Sequence, residues 1–377
     1  MLYHNVFIEA ITAMFPDEVV TTDELETRLE PLYSRLKLPL GRLELMTGIK
    51  QRRLWSQGEL PGTQSIQTVK NLLNQTQFDR RKIGCFIHAS VCRDFLEPAT
   101  ACRVHDANGL PEHCAVYDIS NACLGLLTGM TQIANMIELG QIDAGIVVGT
   151  ESSRSLLEAT VAQLNRDTTL TRQNVKPAFA SLTIGSGSAA VLLTSEKLST
   201  TKNRLLGGVV RANTSQCHLC QSDTDQSGGD TMQPLMNTDS EKLMLEGVAT
   251  AKLAFEDFLT ETGWTRGQID KTFCHQVGKK HQQLLFEQLD LCPELNFMTL
   301  PYLGNTGAVA LPTAAAIGLQ TGFARPGDRI AMMGIGSGIN VVMLAVEWKN
   351  TILETGFCEQ PVVANILEAN RDPNHAN

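Results

Sequence analysis

Apolar positions fall into short runs separated by polar turns, and the runs alternate between two periods. Residues 83–90 and 115–119 are brief, nearly continuous apolar stretches, which predicts strands. After Cys123, the apolar residues Leu127, Met130, Ala134 and Ile137 recur at spacings of 3, 4 and 3, which predicts a helix stopped by Gly140. "GIVVG" (145–149) is again strand-like, and "GSGSAAVLLTS" (185–195) ends this series. A second series starts with "LLGGVVRA". A loop rich in Ser, Thr, Asp, Gln and Gly fills about 213–239. Met244, Val248, Ala251, Phe255 and Phe258 then mark one helix face at spacings of 4, 3, 4 and 3. The strand "KTFCHQ" (271–276), a helix through 284–289 and "RIAMMGIGSGINVVMLAV" complete it.

The two series are weakly related. "CFIHAS" (85–90) resembles "TFCHQV" (272–277), with His88 against His275 at an offset of 187. "SNACLG" resembles "GNTGAV" with Asn121 against Asn305, an offset of 184, and "GIVVG" resembles "IAMMG" at 185. Three ordered matches at nearly one offset indicate two copies of a single supersecondary unit. The chain is therefore expected to be an α/β protein of two similar sheets with helices between and around them. The halves are placed at 1–200 and 201–348, with a partly flexible C-terminal extension at 349–377 whose end, "NRDPNHAN", should fray.

Composition narrows the function. A net charge of -9 over 377 residues argues against a general nucleic-acid binder. No secretory leader is expected, because the start "MLYHNVFIEAITAMF" lacks a cationic segment. The longest apolar stretch, from Ile330, is too broken by glycines to span a bilayer. Ten scattered cysteines suit reduced thiols and a cytoplasmic location. Cys217 and Cys220 in "CHLC" have metal-like spacing, but no second pair completes a tetrahedral site, so no metal is expected.

The candidate chemistry centres on Cys123, which sits on a small-residue elbow between a strand and a helix. A helix N-terminus there should lower the thiol pKa, and the Cys123 N–H could donate to the oxyanion of a thioester. Against this, most cysteines are small, buried and inert. His275 ends an apolar strand, as structural histidines such as His88 also do. Asn305 lies in a Gly-rich turn that opens an Ala-rich helix. Cys, His and Asn on elbows and strand ends together make a nucleophile and donor set. "GIGSGIN" (334–340) is a bend whose N–H groups could complete the oxyanion site; it has no βαβ unit after it to make it a dinucleotide loop.

These motifs carry a resemblance. "NACLG" at Cys123, "HQV" at His275, "GNTGAVALP" at Asn305 and "GIGSG" at Ser337 occur in the order found in condensing enzymes of the thiolase superfamily, β-ketoacyl-acyl carrier protein synthase III branch. The similarity spans about residues 1–348. It implies two duplicated βαβαβαββ halves in an α/β/α/β/α core, and a homodimer. It also implies roles: Cys123 takes an acyl group from a thioester, His275 and Asn305 hold the enolate of the acceptor, and the Cys123 and Ser337 N–H groups form a first oxyanion hole. No cofactor would be permanently bound, since coenzyme A or acyl carrier protein thioesters are the substrates.

One segment narrows the branch. "SVCRDFLEPATA" (90–101) is similar to the segment bearing a catalytic glutamate in the long-chain acyl-CoA condensing enzymes of bacterial olefin biosynthesis, and Glu97 matches that residue. There the glutamate reaches across the dimer as a base. A Claisen condensation without decarboxylation must remove a proton alpha to a thioester, which requires one. The chain departs from synthase III at Arg42 and Met46, where that branch has an adenine-stacking Trp and a phosphate-binding Arg. Lys280 matches a basic position near the phosphopantetheine entrance, though it is equally readable as a solvated surface lysine. The leading expectation is a head-to-head condensation of two fatty acyl-CoAs. The rivals are a decarboxylative synthase using malonyl-acyl carrier protein, a Cys–His hydrolase or redox protein, and a non-catalytic binding homologue.

Overall fold

The computed structural model describes residues 1–222 and 236–371. In chain order its strands are β1 Val6–Met14, β2 Glu18–Thr21, β3 Gln51–Leu54, β4 Cys85–Ala89, β5 Ala115–Ile119, β6 Ala144–Glu151, β7 Gly187–Ser195, β8 Arg204–Ala212, β9 Cys220–Ser222, β10 Met236–Thr238, β11 Lys271–Cys274, β12 Arg329–Gly336 and β13 Asn340–Glu347.

Nine of them form one sheet in the order β11-β12-β13-β8-β1-β7-β6-β4-β5. The duplication is visible in the strand directions. In the first half β4 runs parallel to β6, β6 antiparallel to β7, and β7 antiparallel to β1. In the second, β11 runs parallel to β12, β12 antiparallel to β13, and β13 antiparallel to β8. The two similar sheets expected are joined into one. β1 and β8 meet through a single registered pair, Phe7 opposite Arg204, so hydrogen bonding continues from one half into the other.

Packing follows the period of two along each strand. In β7, Val191 and Leu193 face a central apolar layer while Ala190 and Leu192 face an outer one. In β12, Ile330 and Met332 join the same central layer, and Ala331 and Met333 turn to the opposite outer layer. The central layer is filled by two helices, Gly125–Glu138 and Ala310–Gln320. Leu127, Met130, Ala134 and Ile137 are all buried there, as their spacing predicts. All eleven residues of Ala310–Gln320 are buried, which explains a helix that is apolar and Ala-rich on every side. The outer layers are the helices Pro61–Thr76 and Thr100–Ala107 on one side and Ser240–Thr262 and Lys279–Leu289 on the other.

Two segments differ from a plain loop and a loose tail. The ends of the polar segment at 213–239 pair as the β9–β10 hairpin, with Thr238 opposite Cys220, while residues 223–235 lie outside the described residues. Beyond β13 the chain packs back on the core. Phe357, Val362, Val363 and Ile366 are buried in the central layer, and Asn370 bonds both backbone groups of Met298. Residues 372–377, where fraying is expected, lie outside the described residues. Among the described residues no helix is long and apolar enough to cross a membrane.

Candidate active site

Candidate residues gather at the C-terminal ends of the parallel strands, where an α/β sheet presents its ligands. Cys123 follows β5 and precedes the helix Gly125–Glu138. The elbow is tight: Ala122 has φ +43°, and the Leu124 N–H donates to the Asn121 carbonyl at 2.9 Å. Asn121 locks it, donating to Thr128 Oγ1 at 2.9 Å and accepting from Asn340 Nδ2 at 3.1 Å. Asn340 opens β13 directly after the Gly-rich bend, so this bond pins the elbow to the bend that carries Ser337. The backbone N–H groups of Cys123 and Ser337 both act on the Cys123 sulfur, favouring its thiolate.

The thiol itself departs from expectation. The expected depression by a helix N-terminus is overturned: burial, then Glu151 and Cys220, push the Cys123 thiol up to about 12, against the lowering by the two N–H groups. The helix starts two residues further on, so desolvation of the thiolate outweighs the backbone dipoles. Cys220 enters this environment from β9, so the polar segment borders the site.

His275 directly follows β11, its N–H bonded to the Met333 carbonyl at 3.0 Å. It is 4% exposed, and neither ring nitrogen has a hydrogen-bond partner among the described residues. A buried imidazole with both nitrogens unused is exceptional in a structural role and expected of a group awaiting a ligand. Burial, assisted by His281, holds its pKa down to about 3. His275 is therefore neutral at physiological pH and suited to donate a hydrogen bond rather than to carry charge. Replacing it with alanine is expected to lower condensation by about a hundredfold to a thousandfold, the usual effect of losing one oxyanion donor. Rates between pH 5 and 9 should show no ionisation that disappears in this variant, because the pKa of about 3 lies below that range. By contrast His88, its counterpart in the first half, lies within β4 and is 1% exposed.

Asn305 sits in a turn held at both backbone groups: its N–H donates to Thr183 at 2.8 Å and its carbonyl accepts from Gly185 at 2.9 Å. Its Oδ1 accepts the Gly307 N–H at 3.0 Å, which leaves Nδ2 as the donating end of the amide. A Cβ at Gly185 would lie 2.0 Å from the Leu303 carbonyl oxygen. Gly185→Ala must therefore part the two strands of backbone that hold Asn305. It is expected to cost about 1–3 kcal/mol of stability, measurable by urea unfolding.

Two candidates stand elsewhere. Glu97 is exposed, on the loop after β4, among the exposed Val91, Phe95 and Leu96. That loop is anchored at its base, where Ser90 Oγ bonds the Thr150 carbonyl, and at Asp94, which accepts from the Gly62 N–H and pairs with Arg103. Lys280 is exposed in the first turn of Lys279–Leu289. Among the described residues no cluster of three His, Cys, Asp or Glu could hold a metal.

The structure also places a residue that the motifs did not single out. Glu151, the last residue of β6, is 6% exposed beside Cys123. A carboxylate ending a strand buried along its whole length is a signal that "GIVVGTE" carried in plain sight.

Comparisons with known proteins agree with this arrangement. Residues 63–179 match the thiolase N-terminal domain, and residues 259–348 match the 3-oxoacyl-[acyl-carrier-protein (ACP)] synthase III C-terminal domain. The chain is 41% identical to an acyl-CoA:acyl-CoA alkyltransferase of Shewanella oneidensis, over 92% of this chain and 100% of that one. It is 32% identical to the corresponding enzyme of Xanthomonas campestris, again over 92% and 100%. A cerulenin-bound crystal structure of Xanthomonas campestris OleA superposes with a TM-score of 0.86 at 32% identity, covering 92% of this chain and 98% of that one. Fold, site and relatives together place the chain in the acyl-CoA:acyl-CoA alkyltransferase family, a thiolase-fold branch of the condensing enzymes.

Proposed function

We propose that this chain condenses two fatty acyl-CoAs head to head without decarboxylation, as a homodimer in which each subunit lends Glu97 to the other's site. The observation that carries this reading is the exposure of Glu97: a carboxylate on an anchored loop whose apolar residues Val91, Phe95 and Leu96 are also exposed, as a surface that meets a second subunit would be. Supporting it, the Xanthomonas OleA has been crystallised with one glutamate and one cysteine altered, and these stand 26 positions apart (143 − 117), the separation of Glu97 and Cys123 here (123 − 97). That protein also binds lauric acid and lauroyl-CoA.

In the first step Cys123 loses its proton and attacks the carbonyl of the first acyl-CoA; the carbon–sulfur bond to coenzyme A breaks, and free CoA leaves with the proton. The Cys123 and Ser337 N–H groups hold the oxyanion of that step. The partner subunit's Glu97 removes the alpha proton of the second acyl-CoA. His275 and Asn305 Nδ2 donate to the resulting enolate oxygen, which needs neutral donors aimed at developing charge. The enolate carbon attacks the acyl-Cys123 carbonyl, Cys123 departs, and a 2-alkyl-3-ketoacyl thioester forms; its hydrolysis gives the ketoacid. Lys280, at the surface near His275 in sequence, is assigned to the phosphopantetheine entrance. The ten unpaired thiols suit a reduced compartment such as the cytoplasm.

Myristoyl-CoA as the sole substrate is the test. Release of CoA with formation of a condensed ketone, the decarboxylation product of the ketoacid, is expected. Turnover only after addition of a malonyl thioester would replace this reading with a decarboxylative synthase, which the synthase III match of the C-terminal half favours.

A further inference from the structure

We infer that Glu151 is a positioning residue for the condensation: it ties the loop that carries Glu97 and the turn that carries Asn305 to the end of β6, beside Cys123. The inference rests on the function proposed above. Its basis is geometric. Glu151 Oε1 accepts the Val91 N–H at 3.2 Å, at the root of the Glu97 loop, and the Ala308 N–H at 3.4 Å, just after Asn305. The carboxylate lies flat against that turn: a Cβ at Gly307 would be 3.2 Å from Glu151 Cγ and 3.4 Å from Oε1. Its own backbone is fixed by Trp55, whose Nε1 donates to the Glu151 carbonyl at 3.1 Å. One oxygen thus fixes two segments that are far apart in sequence: the loop whose Glu97 serves the partner's site and the turn whose Asn305 serves this chain's own.

The charge has a second consequence. Burial raises the Glu151 carboxyl above the usual range, against the hydrogen bonds from Val91, Cys92, Ser90 and Ala308. The titratable groups facing it are the Cys92 and Cys123 thiols, both of which it pushes up, and Cys220 acts on Cys123 in turn. Arg154, on the helix that follows, does not neutralise it, since its guanidinium pairs with Glu18 and Glu158. As a carboxylate, Glu151 disfavours the thiolate next to it, so its removal makes Cys123 ionise at lower pH.

Three full-length variants test this: Glu151→Gln, which keeps an acceptor oxygen but no charge; Glu151→Ala, which keeps neither; and Gly307→Ala, whose new methyl crowds the carboxylate and strains a backbone at φ +56°. Two rates are read with lauroyl-CoA, acylation of Cys123 by mass spectrometry and condensation by product. The third reading is the pH profile of Cys123 alkylation by iodoacetamide. For Glu151→Ala and Gly307→Ala, condensation is expected to fall about tenfold to a hundredfold, as for a misplacement on the order of 1 Å, with acylation largely kept. Glu151→Gln is expected to condense within about threefold of the unaltered protein, since the tether survives. In Glu151→Gln and Glu151→Ala the alkylation profile should move to lower pH. Normal condensation by Glu151→Ala, equal losses in Glu151→Gln and Glu151→Ala, or an unmoved profile would each overturn the inference. Should the alanine variants not fold, the condensation rate of Glu151→Gln decides, and a loss of more than about tenfold overturns the inference, since that variant keeps the acceptor oxygen. An unaltered protein that fails to condense acyl-CoA would sink the proposed function, while alkylation still reads Glu151 at Cys123.

Discussion

Glu97→Gln is expected to slow condensation by about a hundredfold to ten-thousandfold, the range supplied by a positioned general base. The amide has the size and hydrogen-bonding reach of the carboxylate but cannot accept the alpha proton. Acylation of Cys123 needs no such base and should continue, so the variant should accumulate acyl-enzyme and release a single equivalent of CoA. Because Glu97 is exposed, folding should be unaffected. Mixing separates the dimer's contribution from the chain's. A heterodimer of Cys123→Ala and Glu97→Gln subunits has one site with an intact thiol and an intact base supplied by its partner. Re-associated mixtures should therefore regain activity, to about a quarter of the unaltered level for random pairing of two-fold dimers. Mixtures with no more activity than the separate variants would show that Glu97 does not act across the interface.

The second large effect is at the nucleophile. Cys123→Ala is expected to abolish acyl-enzyme formation and to reduce condensation by about a millionfold, the scale seen when a covalent nucleophile is removed from an otherwise intact site. The unaltered thiol should also have a distinctive pH response. With a pKa of about 12, Cys123 is protonated at neutral pH, and the reactive thiolate becomes more abundant as pH rises. Alkylation should then accelerate about tenfold per pH unit from pH 7 to pH 10, the slope for any thiol well below its pKa. A plateau near neutrality would show that the thiolate is already formed there. Rapid acylation by acyl-CoA alongside slow alkylation would indicate that bound substrate helps to remove the proton.

Much of this molecule is legible in its sequence. The spacing of Leu127, Met130, Ala134 and Ile137 gives the helix after Cys123, and offsets near 185 reveal the duplication. Both depend on local period and on motif order, which a sequence displays directly. The positions of Cys123, His275 and Ser337 just after strands follow from the same local pattern, while Asn305 follows the one-turn helix Leu300–Leu303. The features that are not legible depend on tertiary surroundings. Cys123 lies two residues before its helix and in a desolvated place, so a rule about helix ends predicts the wrong direction for its thiol. Glu151 carries no local mark of its role because its partners, Val91 and Ala308, lie 60 and 157 residues away. The β9–β10 pairing is hidden by polar composition, since a short hairpin needs little apolar patterning to form.

The wholly buried helix Ala310–Gln320 has a consequence for the independence of the two halves. It is covered on one side by strands of the second half and on the other by β1, β7 and the helix Gly125–Glu138 of the first. A polypeptide of one half alone would present this greasy cylinder to water, or its equivalent in the first half, and would aggregate or find a second copy. Neither half is therefore expected to persist in water as a folded monomer without the other half or a second copy.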